Sequence, residues 1–167
     1  MRRAARQLAR LGMALAGLAG ALPAQADGAW RDVPFEVLAT GESSTVAGPL
    51  LKVAGTARQA AELSRLAGPD APPRLSAAHL RQRRIVAVFD KPAASSGHRI
   101  AVRSIRADAG TVRITITRTG PAPGQNVNDV ISHPYAMVSV PAAAVPRRAT
   151  WEVVDANGDT VLVQGPR

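Results

Sequence analysis

The chain has 167 residues, of which 46% are hydrophobic, 20% charged and 3% aromatic, a balance that fits a globular domain and excludes collagen-like, coiled-coil and disordered classes. It carries 21 Lys and Arg, nearly all Arg, against 12 Asp and Glu, but Arg and Ala abound along the whole chain, so net charge alone is weak evidence for a nucleic-acid partner. Cysteine is absent, which excludes disulfide scaffolds, thiolate zinc sites and cysteine nucleophiles.

The first segment is predicted to be an export signal. Arg2, Arg3, Arg6 and Arg10 precede an apolar run over residues 11–22, and Pro23-Ala24-Gln25-Ala26 follows with small residues at the two specificity positions. Basic, apolar and small-residue regions in that order form the secretory pattern, with cleavage after Ala26. A spanning helix needs about 20 apolar residues, more than this run supplies, so an uncleaved membrane anchor is the weaker reading. Arg2-Arg3 lacks the apolar pair that a twin-arginine signal would carry next. The expected location is therefore periplasmic or secreted, with no transmembrane segment after cleavage and one domain over residues 27–167.

Residues 27–167 keep 17 basic and 12 acidic groups, net +5, and a chain of that length buries about two-thirds of its unfolded surface. An oxidising, ATP-poor compartment argues against kinases, NTPases and nucleic-acid regulators. In agreement, the sequence has no phosphate loop ending in Gly-Lys and no dinucleotide fingerprint.

Strands are predicted over residues 33–39 and 50–54, separated by Gly41-Glu42-Ser43-Ser44 and Gly48-Pro49. A helix is predicted over residues 56–67. Thr56 and Gln59 form a capping box, Ala57, Ala60, Ala61, Leu63, Leu66 and Ala67 follow a helical face, and Gly68-Pro69 supplies the stop. Residues 76–82 hold at best a short helical turn. The apolar run Ile85-Val86-Ala87-Val88-Phe89 reads as a central strand covered on both faces.

Residues 98–106 and 111–118 are predicted strands joined by Ala107-Asp108-Ala109-Gly110. In the second, Val112, Ile114 and Ile116 alternate with polar residues, so one face is wet. In the first, Ile105 breaks the phase of Ile100 and Val102, which predicts a bulge near Ser104 or burial on both sides. A loop over residues 121–128 and a strand over 135–140 follow. Asn157-Gly158 predicts a two-residue hairpin between strands 151–155 and 160–164. About eight strands and one solid helix give an α+β fold, mainly antiparallel, either a curled sheet or a small sandwich with the helix packed on it.

Catalytic signatures are absent: there is no G-x-S-x-G and no H-E-x-x-H. His79, His98 and His133 match no local zinc spacing, and separate surface or strand-edge histidines explain them more simply. Asp155-Ala156-Asn157-Gly158-Asp159 begins like a calcium loop, but Thr160 stands at the sixth position and Pro166 at the twelfth. The expectation is therefore no catalytic residue, no metal and no cofactor. Arg81, Arg83 and Arg84, with Arg99, Arg103, Arg113 and Arg118, form basic stretches that fit either anionic partners or simple protection of strand edges. The five aromatics, Trp30, Phe35, Phe89, Tyr135 and Trp151, are too scattered for a base-stacking platform and read mostly as core. No nucleic-acid partner is expected. Ser95-Ser96-Gly97-His98 allows close backbone approach, which suits a partner contact as well as a tight turn.

Phe35-Glu36-Val37 with Gly41, the strand Ile85 to Phe89, Ser96-Gly97-His98-Arg99-Ile100, Pro121-Ala122-Pro123-Gly124 and His133-Pro134-Tyr135-Ala136-Met137 together resemble the C-terminal domain of the PrcB protease-complex subunit family. In that family a G-G-Y-x-I-like element opens one strand and a Pro-Tyr or Tyr-Pro element opens a later one. Ser96-Gly97-His98 and Pro134-Tyr135 stand at those places here, with His98 where the family has Tyr, and with Ala78-His79-Leu80 where an Asp-Phe pair is expected. The resemblance implies an exported, non-catalytic accessory domain with a protein partner, a protease that it associates with or stabilises. It singles out Gly97, His98, Pro134 and Tyr135 for partner binding, although Pro134 and Tyr135 also fit a purely structural role closing a strand entrance. A small protease inhibitor, a glycan or small-molecule binding module, and a hydrolase or metal-dependent enzyme are the alternatives. The last requires a histidine to meet a carboxylate such as Asp90 or Asp129.

Overall fold

The computed structural model describes residues 29–72 and 77–166; the expected export signal lies outside them. Nine strands form two sheets: β1 (Arg31–Asp32), β2 (Glu36–Gly41), β3 (Leu50–Ala54), β4 (Arg83–Phe89), β5 (Arg99–Ala107), β6 (Thr111–Thr119), β7 (Tyr135–Pro141), β8 (Thr150–Val154) and β9 (Thr160–Gln164). One sheet has the order β1-β5-β6-β8-β9 and the other β2-β7-β4-β3. All neighbours are antiparallel except β6 and β8. Two helices complete the described residues, α1 (Ala57–Ala67) and α2 (Ala77–Gln82), the second a full short helix where at most a turn is expected. The mainly antiparallel α+β reading holds, in its sandwich form.

The apolar runs of β4 and β7 show why the four-stranded sheet is central. Period-2 alternation sends Val86, Val88, Ala136, Val138 and Val140 toward the five-stranded sheet, where they pack with Ile100, Val112, Ile114 and Val153. It sends Ile85, Ala87, Phe89, Tyr135 and Met137 the other way, against Ala60, Leu63 and Ala67 of α1. A strand covered on both faces must be apolar at every position, which is why β4 shows no alternation in sequence. The one polar side chain in this stretch of β7, Ser139, is fully buried and accepts from Arg83 Nε at 2.8 Å.

α1 begins at the capping box. The Gln59 N–H donates to Thr56 Oγ1 at 3.3 Å, and the Gln59 side chain returns to accept the Gly55 N–H at 3.0 Å. Its buried stripe is Ala60, Leu63 and Ala67, while Ala57 and Ala61 of the expected apolar face are exposed. The helix ends at Gly68, whose φ of 79° is strained for any residue with a Cβ.

Three expectations change in detail. The segment expected as one strand over 33–39 is two: Val33 still donates to Ile105 of the five-stranded sheet at 2.8 Å, Pro34 has no N–H to continue that ladder, and β2 then joins β7 in the other sheet. The turn at Asn157-Gly158 is a five-residue loop, 155–159, rather than a two-residue hairpin, because Asp155 Oδ1 accepts the N–H groups of both Asn157 and Asp159. Trp30 lies at the surface with Arg113 stacked 4.7 Å from its ring centre, whereas Phe89, Tyr135 and Trp151 are core and Phe35 is half-buried. The bulge expected near Ser104 is present, as a register shift between Val102 and Ser104 that lets Ile105 rejoin the core face.

Candidate functional site

Three loops meet beyond the same end of β4 and β7: residues 42–46, 90–98 and 120–134. Each is tied to another by backbone hydrogen bonds. Ala93 and Ser132 exchange both of theirs at 2.9 Å, Asp90 N–H donates to Pro134 at 2.9 Å, and Ser96 N–H donates to Asn128 at 3.1 Å. Side chains add further pins, since Ser132 Oγ donates to the Ser95 carbonyl at 2.8 Å and Asn128 N–H to Ser96 Oγ at 3.0 Å.

Glu42 joins all three loops. Its carboxylate accepts the Gly97 N–H at 2.6 Å and its carbonyl accepts the His133 N–H at 2.7 Å. Gly97 takes φ of 86°, and a Cβ there would sit 3.3 Å from Pro121, so a side chain would be both strained and crowded. The Ser95-Ser96-Gly97-His98 segment is thus a close-approach turn, held against the long β6–β7 loop.

Beneath the loops lies an ion pair between a buried carboxylate and a partly exposed arginine. Arg118 clamps Asp90 through one edge of its guanidinium, Nε donating to Oδ2 at 2.6 Å and Nη2 to Oδ1 at 2.9 Å, with Asp90 only 5% exposed. Burial by itself raises the Asp90 pKa, but the hydrogen bonds from Arg118 and the Lys91 N–H outweigh it, leaving the carboxyl below the usual range. Arg118 keeps solvent exposure and at the same time bridges β6 to the end of β4.

Over this anchored base the loop exposes three aliphatic side chains among Gln125, Asn126, Asn128 and Asp129. Val130 is 52% exposed, Ile131 70% and Val127 36%, and residues 122–131 are exposed without interruption. Fixed backbone with protruding aliphatic side chains suits recognition of a complementary surface, because little entropy is left to lose on binding.

The residues singled out in sequence divide by depth. Gly97 and His98 are half-exposed within the cluster, with the His98 ring beside Gly120. Pro134 and Tyr135 are buried beneath it. Tyr135 stacks at 5.9 Å on Phe89 and donates its hydroxyl to the Asp70 carbonyl at 2.7 Å, so any influence of this pair on a partner passes through the loop they support. Burial, then the Asp70 charge, pushes the Tyr135 phenol above its ordinary value. Val130, Ile131 and Glu42 escaped the sequence reading. The only signal was an aliphatic pair in a segment rich in Gly, Pro and Asn, where no strand needs it.

The hydrolase and metal alternatives find no assembled centre. His79 lies on α2, His133 Nδ1 contacts the Val46 carbonyl at 2.9 Å, and both Asp90 oxygens are engaged by Arg118. Among the described residues no three His, Asp or Glu side chains converge as metal ligands, and no helix is long and apolar enough to cross a membrane.

The family model described as PrcB C-terminal matches residues 84–141, from β4 to the end of β7. That stretch contains both loops that face each other in the cluster. No curated protein and no solved structure matches the chain.

Proposed function

Starting from residues 84–141 as a PrcB C-terminal family segment, we propose that the chain is an exported, non-catalytic protein-binding domain that docks on a protease and stabilises it. The observation that carries this reading is the apolar surface of Val127, Val130 and Ile131 on a loop pinned to Ser95, Ser96 and, through Gly97, to Glu42. Exposed aliphatics on a rigid base are costly to a solitary soluble domain and useful to one that is covered by a partner. The signal pattern in residues 1–26 supports a periplasmic or secreted location.

The test is to add purified residues 27–167 to the protease that co-purifies with it and to follow proteolytic activity over time. Activity that persists longer with the domain present is the expected result. Loss of activity at one equivalent would assign the domain to the inhibitor class instead. Failure to recover any protease would overturn the reading and favour a glycan or small-molecule ligand.

A further inference from the structure

A second surface, remote from the loop cluster in function, lies where the edge strands β3 and β9 leave the sandwich open. Three adjoining hollows of about 220, 300 and 410 Å³ share Arg84, and two of them also share Val53, Arg147 and Trp151. The floor is Val53, Ala149 and Trp151, and the rim carries Arg84, Arg147, Arg81 and the amides Gln59 and Gln164. Among the described residues no Asp or Glu lines any of the three. The ion pairs among the described residues use other arginines: Arg83, Arg106, Arg113 and Arg118.

Arg84 is held in place for this groove. A Cβ at Gly55 would lie 2.9 Å from Arg84 Nε and 3.2 Å from Cζ, so the missing side chain of Gly55 leaves the space that the guanidinium occupies. One nitrogen donates to the Leu80 and Arg83 carbonyls at 3.3 and 3.2 Å, which fixes the plane and satisfies no negative charge. Arg147, an exposed residue, lines two of the same hollows. Two arginines that line the same hollow over an apolar floor, with no Asp or Glu of the described residues in that lining, suit planar or tetrahedral oxyanions through charge-assisted hydrogen bonds.

We propose that the groove around Arg84 and Arg147 is a binding site for a small oxyanionic ligand, a phosphate or a carboxylate. It is separate from the loop surface and does not depend on the protease reading.

Trp151 in the floor is the reporter. In a Trp30→Phe background it is the one tryptophan left, and its fluorescence is followed as sodium phosphate or sodium acetate is added, with sodium chloride matching the ionic strength. A saturating change beyond the chloride control in either arm is the expected result, the phosphate arm identifying a tetrahedral anion and the acetate arm a carboxylate. Arg147→Gln should weaken binding about tenfold and Arg147→Glu abolish it. Arg147 is exposed, so these variants keep the fold even where Arg84→Gln does not; an Arg113→Gln change on the outer face of β6 should leave binding intact. Absence of saturation in both arms, or unchanged affinity in Arg147→Glu, would overturn the proposal.

Discussion

Tyr135 and Asp90 each hold the loop cluster from beneath through a polar group in a largely apolar setting. Removing the Tyr135 hydroxyl leaves the ring packed and frees only the Asp70 carbonyl on an exposed residue, so Tyr135→Phe should cost about 1 kcal/mol in a urea melt, whereas Tyr135→Ala opens a core cavity and should cost about 3–5 kcal/mol. Asp90→Ala strands a half-buried Arg118 guanidinium. Because the Arg118 side chain keeps 35% exposure, the expected loss is about 1–3 kcal/mol, below that of a fully buried pair. The folded-state pKa of Asp90 is depressed below 3.8, so its stabilisation is present in full above the unfolded carboxylate value and is lost as pH falls through the folded one. Melting temperatures between about pH 5 and 2 should therefore drop more steeply for the wild type than for Asp90→Asn; parallel curves would show that the pair contributes nothing.

At the scale of single elements, legibility followed locality. α1 could be read because its cap, face and stop lie within thirteen residues, and Thr56→Ala should cost about 1 kcal/mol of stability by chemical denaturation. The bulge in β5 could be read because Ile105 breaks a count of two. The division of 33–39 between sheets could not, since Pro34 marks an interruption but nothing local says which sheet receives the next residue. The parallel pairing of β6 with β8 was equally hidden, for it depends on a crossing made by a whole intervening strand. The loop site was legible in half. Gly97 is marked by its small neighbours, but the clamp by Glu42 spans 55 residues, and a sequence separation of that size leaves no periodic trace.

For the whole molecule, the arrangement separates support from contact. The double-faced core of β4 and β7 carries the packing, and the three loops at its end are cross-linked by hydrogen bonds into one rigid shelf. Upon that shelf, Val130 and Ile131 meet solvent at 52% and 70% exposure, and Val127, beside Gly97, at 36%. Substituting such exposed positions should change stability by less than about 0.5 kcal/mol, so a loss of binding there would not be a loss of fold. The most direct test of the proposed docking surface is side-by-side capture from an extract of the source cells with tagged wild type and a Val130→Asp, Ile131→Asp double variant matched in melting temperature. Recovery of a protease by the wild type and its disappearance from the variant is the predicted result. Equal recovery by both proteins would contradict the placement of the docking surface on this loop.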